Sequence, residues 1–303
     1  MSNLVCFCKM LCSKAKVKKP AIKNQKMNKS KTKKNKYLTQ VKWNQWLAGI
    51  IDGDGYLAIQ KSNNVAVCEI TMPLQDEALL FQIKQKLGGN IKQRVGSRSI
   101  RYRLSHKAGM IELLHKINGN IRNSVRVTQF KKLCTKFNIT YLEPKPLTKK
   151  NAYISGFFDA DGTICLSITK SSTANSIKSG VSGKIKRLIE SCGYHKLEIS
   201  ITNKYFENVV IFQKAFGFGT IRKVRKKPYE TYIYSIDLHN IPNFLDYCKI
   251  YPLRSSKKKR IFLTPKYFEL KRIKAHLANK STYRQKAWKT FCYKWYDYEF
   301  LID

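Results

Sequence analysis

Acidic residues are scarce. The 303-residue chain holds 19 Asp and Glu against 59 Lys and Arg, a formal net charge of +40. A surface so one-signed repels itself unless a polyanion meets it, and nucleic acid is the obvious polyanion. Long apolar runs are missing too. None approaches the ~18 residues that a membrane helix requires, so no membrane partner is expected. The nine cysteines contain no CxxC pair, their number is odd, and no signal peptide with a small-residue cleavage site is visible. That combination points to a reducing compartment and idle thiols. Cys6, Cys8 and Cys12 cluster, but no His stands at zinc-ligand spacing from them. Apolar residues, in contrast, make up 43% of the chain and aromatics 12%, which a disordered chain of this charge would lack.

Composition divides the chain. Residues 1–40 carry twelve lysines, no arginine and no acid, which reads as a basic disordered tail able to touch phosphates. Globular texture begins at Lys42, giving a first domain over 41–140, a linker over 141–151 with Pro144 and Pro146, and a second domain over 152–303. In the first domain the order is an apolar helix from Lys42 to Ile51, strands at Tyr56–Gln60 and Val65–Met72, and a helix at Glu77–Leu87. A hairpin at Ile91–Val95 and Ile100–Leu104 and a helix at Ala108–Ile117 follow. The same order recurs in the second domain. Its helix leads into Asp159, strands fall at Thr163–Thr169 and Leu197–Thr202, a helix at Phe206–Phe216, a hairpin at Thr220–Val224 and Thr231–Asp237, and a helix at Ile241–Ile250. An extra stretch, Lys170 to Lys196, separates the first two strands of the second copy. The aromatic segment Trp288 to Phe300 reads as a helix packing on the second domain.

One helix-ending motif occurs in both copies, as Leu47-Ala48-Gly49-Ile50-Ile51-Asp52-Gly53-Asp54-Gly55 and as Ile154-Ser155-Gly156-Phe157-Phe158-Asp159-Ala160-Asp161-Gly162. Ala48 with Gly49 and Ser155 with Gly156 give each helix a face of small side chains, so the two backbones can approach closely. The helix ends then lie side by side and each delivers an acid. Carboxylates near helix C-termini are disfavoured by the macrodipole and repel each other, which raises a pKa unless something compensates. A hard divalent cation with oxygen ligands answers both problems, and Asp54 and Asp161, at the helix exits, are the expected metal ligands. Metal-assisted phosphodiester hydrolysis uses such a pair. Asp52 and Asp159, two residues earlier and inside the last helical turn, read as mainly structural.

On these segments the sequence resembles the LAGLIDADG homing endonucleases in their single-chain, two-motif form, over about residues 42 to 275. The resemblance implies an α+β fold, a pseudo-twofold pair of αββαββα domains whose saddle-shaped antiparallel sheets lie along the DNA major groove. It implies that Asp54 and Asp161 bind Mg²⁺ (or Mn²⁺) and act in catalysis. It also implies a polar strand-end residue and a basic residue near each scissile phosphate. In the second copy these are Asn203 and Lys257. In the first the polar place falls to Gln75 or Leu74 and the basic one to Arg126, and an apolar Leu74 would make the two half-sites unequal.

Basic residues on or beside the strands are the expected DNA contacts: Lys61, Arg94, Arg98, Arg101 and Arg103 in the first domain, and Lys170, Arg222, Lys223, Arg225, Lys226 and Lys227 in the second. Arg101 and Arg103 flank Tyr102 and so face one side of a strand. The five histidines sit in no motif and receive no role. The favoured function is a monomeric, site-specific, Mg²⁺-dependent double-strand DNA endonuclease. The alternatives are an intron maturase acting on its own intron RNA and, third, a non-catalytic DNA-binding regulator that would lack the exit acids. Lys- and Asn-rich composition suggests an AT-rich organelle genome, mitochondrial ahead of chloroplast.

Overall fold

The computed structural model describes residues 23–170, 180–191, 193–226 and 229–300, in two compact units that meet in sequence at Gln40 and Val41. The first motif ends a long helix, α1 (Lys23–Asp54). The reading of residues 1–40 as a disordered tail is therefore corrected from Lys23 onward. Beyond Pro20 the segment has no Gly or Pro, and its Lys and Gln residues sustain a helix well. Residues 1–22, with Cys6, Cys8 and Cys12, lie outside the described residues, as does Lys227.

From Val41 the expected element order is present in both halves. The first half continues with β1 (Gly55–Ile59), β2 (Ala66–Pro73), α2 (Glu77–Leu87), β3 (Asn90–Gln93), β4 (Ser99–Leu104), α3 (Lys107–Ile117) and α4 (Ser124–Lys136). The second half has α5 (Tyr153–Asp161), β5 (Gly162–Thr169), α6 (Gly180–Glu190), β6 (Tyr194–Asn203), α7 (Glu207–Phe216), β7 (Thr220–Lys226), β8 (Tyr229–Ser235), α8 (Ile241–Ile250), α9 (Lys258–Arg272) and α10 (Tyr283–Phe300). Each half builds one antiparallel four-stranded sheet of identical topology, ordered β1-β2-β4-β3 and β5-β6-β8-β7. Alternation sets the faces: Ile100, Tyr102 and Leu104 of β4 are buried, while Arg101 and Arg103 point outward. Gly88 and Gly217, both at φ 75°, terminate α2 and α7 in a conformation that a side chain would resist.

Helices α4 and α9 have no counterpart in the sequence reading. Both are rich in Lys and Arg spread around the helix, which blurs the apolar period. Asn123, whose side chain accepts from the Val125 N–H at 3.0 Å, starts the first of them.

The halves join where α1 meets α5. A Cβ on Gly49 would stand 2.2 Å from the Tyr153 carbonyl oxygen, and one on Gly156 would stand 1.9 Å from that of Trp46. The two backbones therefore touch, as the small-residue faces predict.

The second half carries an added layer. Strands β5 and β6 pair out to Thr169 and Tyr194, and α6, α9 and α10 pack on this extension around Leu188, Tyr267, Leu270, Trp288, Phe291 and Trp295. The Trp288 indole N–H and the His195 ring both meet the Leu188 carbonyl, at 3.0 and 3.2 Å. Tyr267 and Lys271 both donate to the His195 carbonyl. The expectation of a helix from Trp288 to Phe300 packed on the second domain describes part of α10.

Two outcomes follow. Gly49→Leu or Gly156→Leu forces a side chain into backbone, a cost at or above the ~1–3 kcal/mol typical of overpacking. Melting temperatures should fall sharply for both, and an unchanged value for either would contradict the backbone contact. Burial also pushes the His195 pKa down to about 4 from 6.5. The unfolded chain then binds more protons in that window, so His195 contributes stability that is complete above about pH 6.5 and lost as pH falls towards 4. Asp52, raised by burial to about 6, acts in the opposite sense and does so equally in a His195 variant. Thermal melts of His195→Gln and wild type should show the smaller acid-induced loss between about pH 7 and 5 in the variant.

Candidate active site at the paired helix ends

Because the last turns of α1 touch α5 at Gly49 and Gly156, their C-terminal ends abut. A Cβ on Gly53 would stand 2.3 Å from that of Ala160 and 3.6 Å from the Asp161 carboxyl carbon. Two helix C-termini and their two exit acids thus concentrate negative potential in one place. Two cations answer it. The Lys257 ammonium donates to the carbonyls of Phe158, Asp159 and Ala160 at 3.2, 2.7 and 2.6 Å. Arg126 Nε donates to the Ile51 carbonyl at 3.2 Å. Each half therefore caps its own motif helix with a basic residue from a later segment, the two residues named for that role in sequence.

Burial raises both exit carboxyls. Asp54 is pushed up to about 7, first by desolvation and then by Asp161, against the opposing pull of Lys257. Asp161 is raised by burial and partly relieved by Lys257 and Arg126. The cations move the other way: burial lowers both Lys257 and Arg126, and the surrounding acids hold their charge on. Near neutral pH a cation at the Asp54 carboxyl can therefore displace its proton to solvent.

Asp52 and Asp159 are fully buried and take a different part. Trp46 of α1 donates its indole N–H to Asp159 Oδ2 at 2.9 Å, and Tyr153 of α5 donates its hydroxyl to Asp52 Oδ2 at 2.6 Å. The two bonds cross between the halves. Asp52 Oδ2 also accepts the N–H groups of Arg122 and Asn123, and Asp159 those of Arg254 and Ser255 with the Ser255 hydroxyl. The guanidinium groups of Arg122 and Arg254 in turn lie over the Tyr153 and Trp46 rings, at 5.0 and 4.5 Å from the centroids. A second exchange runs beside the first. Asp76 accepts from the Ser256 N–H at 2.6 Å and Asn208 from the Ser124 N–H at 3.2 Å.

These partners went unread in the sequence, although a signal exists. Ile121-Arg122-Asn123-Ser124 and Leu253-Arg254-Ser255-Ser256 repeat one apolar–Arg–polar–Ser pattern after the closing helix of each half. Both runs lead directly to the capping cation.

A cleft of about 200 Å³ opens at the helix ends, lined by Asp54, Gln75, Asp76, Ser256, Lys257 and Arg260 among others. Gln75, the polar candidate of the first half, reaches it from a 3-10 turn over Leu74–Asp76, and its buried Oε1 has no partner. Leu74 is 37% exposed and lines a neighbouring depression instead. Asn203 stands at the end of β6, but its Oδ1 is engaged by the Tyr205 N–H and the Asn208 amide, both at 3.1 Å. Arg260, absent from the sequence reading, reaches the cleft while donating to the Ile164 carbonyl at 2.7 Å.

The expected DNA contacts separate into groups. Lys61, Arg94, Arg98 and Lys170 are exposed at strand ends and hairpin tips. Arg101 and Arg103 share the outward face of the first sheet, and both pair with Glu69, at 3.4 and 2.9 Å. Arg222 faces outward with Glu198 at 3.0 Å. Lys223 and Arg225 alternate to the opposite side of β7 and pair with Glu230. The Lys226 side chain and Lys227 are outside the described residues.

The donor set suits a hard cation. No cluster of three or more His, Cys, Asp or Glu side chains able to hold a metal occurs among the described residues. The Asp54 and Asp161 carboxylates at the abutting helix ends, with the unpartnered Gln75 oxygen in the cleft that Asp54 lines, are all oxygen donors, as Mg²⁺ prefers.

Sequence comparison matches the chain to the family described as LAGLIDADG endonuclease over residues 47–137 and 154–268. The intron-encoded RNA maturase bI4 of Saccharomyces cerevisiae is 44% identical over 276 residues, which is 89% of this chain and 40% of that protein. The probable intron-encoded endonuclease aI2 of Debaryomyces hansenii is 39% identical over 265 residues, 87% of this chain and 39% of its own length. The chain thus spans about two fifths of these relatives. The intron-encoded DNA endonuclease ai2a of Dictyostelium discoideum is 31% identical over 277 residues, 91% of this chain and 82% of that protein. Among solved structures, the meganuclease I-SmaMI bound to uncleaveable DNA superposes with a TM-score of 0.60 at 16% identity, over 84% of this chain and 95% of its own. The LAGLIDADG meganuclease I-AabMI bound to uncleaved DNA gives 0.55 at 19% identity, over 86% and 99%. These two likenesses concern the fold.

The crossed bonds generate a stability outcome. Tyr153→Phe keeps the ring and deletes one donor to a buried carboxylate, which costs ~1–3 kcal/mol. Trp46→Phe deletes the other donor and adds the cost of replacing a buried indole with a smaller ring. In Tyr153→Phe the acid that loses its donor is Asp52, whose Oδ1 already lacks a partner. Urea unfolding midpoints measure both, and midpoints equal to wild type would remove the exchange as a stabilising feature.

Proposed function

The chain belongs to the LAGLIDADG endonuclease family, and from that membership we propose that it cuts both strands of a specific DNA site by metal-dependent phosphodiester hydrolysis. One observation carries the reading: two carboxylates at abutting helix ends beside a cleft with an unpartnered amide oxygen. Asp54 and Asp161 would hold Mg²⁺ or Mn²⁺. When bound, such a cation supplies charge stabilisation at the phosphate and a more acidic water. Gln75 orients solvent in the cleft through its free oxygen. Lys257 and, in the other half, Arg126 offset charge building on the phosphate oxygens, a contribution that grows in a site shielded from water. Asn203, the polar strand-end residue of the second half, has its oxygen already engaged, so the two half-sites differ in how they direct water.

The outward sheet faces with Arg101, Arg103 and Arg222 would read and grip the duplex, and Lys61, Arg94, Arg98 and Lys170 would meet phosphates at its edges. The glutamates paired with the sheet arginines hold those side chains in place before DNA arrives. Both half-sites lie in one chain, so a monomer suffices. The domain map of a basic N-terminal segment, two motif domains and a linker over 141–151 belongs to the same proposal. So does an organelle location, mitochondrial ahead of chloroplast.

A second reading, assistance of RNA splicing, is favoured by the 44% identity to a protein named as an RNA maturase. The fold serves it equally, because the helix contact does not depend on cleavage.

Asp54→Asn or Asp161→Asn should abolish double-strand cleavage while target binding stays within a few-fold, since the sheets rather than the acids meet the duplex. Gel-shift titration beside a cleavage assay checks this, and a mutant that cuts both strands at the wild-type rate would overturn the metal assignment. Gln75→Leu should slow one strand selectively, so that nicked plasmid accumulates before linear product.

A further inference from the structure

The added layer of the second half has a surface that the nuclease reading does not use. In β6 the inward positions are Leu197, Ile199 and Ile201, and His195 continues that alternation. The His195 ring meets Trp288 at 5.3 Å between centroids. Helix α10 therefore lies on the helix-covered side of the second sheet, opposite the outward face that bears Glu198 and Arg222.

The inner face of α10 is buried through Trp288, Phe291, Cys292 and Trp295. Its outer face presents Tyr283, Lys286, Thr290 and Tyr293, spaced three, four and three residues apart, which is one stripe of an α-helix. Tyr283 is 85% exposed and Tyr293 46%. Both rings stand open to solvent, and Lys286 lies between them with Lys289 beside the stripe. Tyr293 and Lys289 also line a groove of about 370 Å³ against Lys186, Ile189 and Glu190 of α6. From Lys258 to Phe300 the chain carries twelve Lys and Arg against three Asp and Glu, so the layer selects a polyanion.

Two open rings with lysines between and beside them suit a strand whose bases are free to stack while its phosphates meet ammonium groups. A DNA duplex offers no free base faces, and single-stranded RNA does. We propose that the Tyr283–Lys286–Tyr293 stripe of α10, with Lys289 and Lys186 beside it, binds single-stranded RNA at a site separate from the duplex-binding sheets. The proposal rests on the second, RNA-directed reading above.

Fluorescence anisotropy of the full chain with a labelled oligouridylate, in parallel with its duplex DNA target, tests it. Removing both rings in Tyr283→Ala/Tyr293→Ala should weaken oligouridylate binding at least tenfold, because stacking is worth ~1–3 kcal/mol per base. Duplex affinity should stay within two-fold of wild type, which also shows that the variant is folded. Tyr283→Phe/Tyr293→Phe should restore RNA binding, and Lys286→Gln/Lys289→Gln should flatten its salt dependence. A wild-type chain that does not bind oligouridylate overturns both the surface and the RNA reading. Wild-type binding that the alanine pair leaves intact overturns the surface alone. Equal, stripe-dependent binding of oligothymidylate overturns the choice of RNA as partner.

Discussion

Contact between the backbones of α1 and α5 is the constraint from which the rest of this structure follows. With hydrogen in place of a side chain at Gly49 and Gly156, the axes come close enough for one helix to meet the other's carbonyls. Only at that separation do Trp46 and Tyr153 reach across to Asp159 and Asp52, and only then do the helix ends that carry the exit acids abut. Packing and chemistry have one cause here. The closeness that concentrates helix C-termini and carboxylates also creates the charge problem, and Lys257 and Arg126 answer it from the segments that Asp159 and Asp52 hold in place.

The two acids of each motif accordingly divide the work. The inner one accepts several donors and orders the segment that brings in the capping cation. The outer one is half-buried, raised by burial, and short of donors. Low-dielectric surroundings serve opposite ends at these two positions: they strengthen the satisfied hydrogen bonds of Asp52 and Asp159, and they leave Asp54 and Asp161 in need of a cation.

Much of this was legible in the sequence. The strand and helix order, the repeat, and the small-residue helix face all depend on local periodicity or on a motif written twice, and these survive into three dimensions. The N-terminal helix was misread because lysine and asparagine look like a solvated tail, whereas helix propensity over Lys23–Gln40 continues that of α1. Helices α4 and α9 escaped because their cations surround them. The exchange partners were harder. Asp76 meeting Ser256 and Asn208 meeting Ser124 are pairings between halves far apart in sequence, and no window along the chain contains both members. Register also told against a simple reading of the polar strand-end residues. Ile70 and Ile201 occupy equivalent places opposite Gly55 and Gly162, which puts Asn203 level with Met72 rather than with Gln75.

The crossed bonds also bear on how such a chain can change through descent. Trp46 serves an acid that belongs to the other half, and Tyr153 returns the service. Two copies of one half, paired about a twofold axis, would satisfy the same bonds between subunits, so the geometry is indifferent to whether a linker exists. Once the halves share a chain, that symmetry is no longer enforced. Indole and phenol, lysine and arginine, aspartate and asparagine can then occupy matching places, provided each drifts together with the partner it faces across the seam. Inheritance in this molecule thus runs in pairs that straddle the two halves.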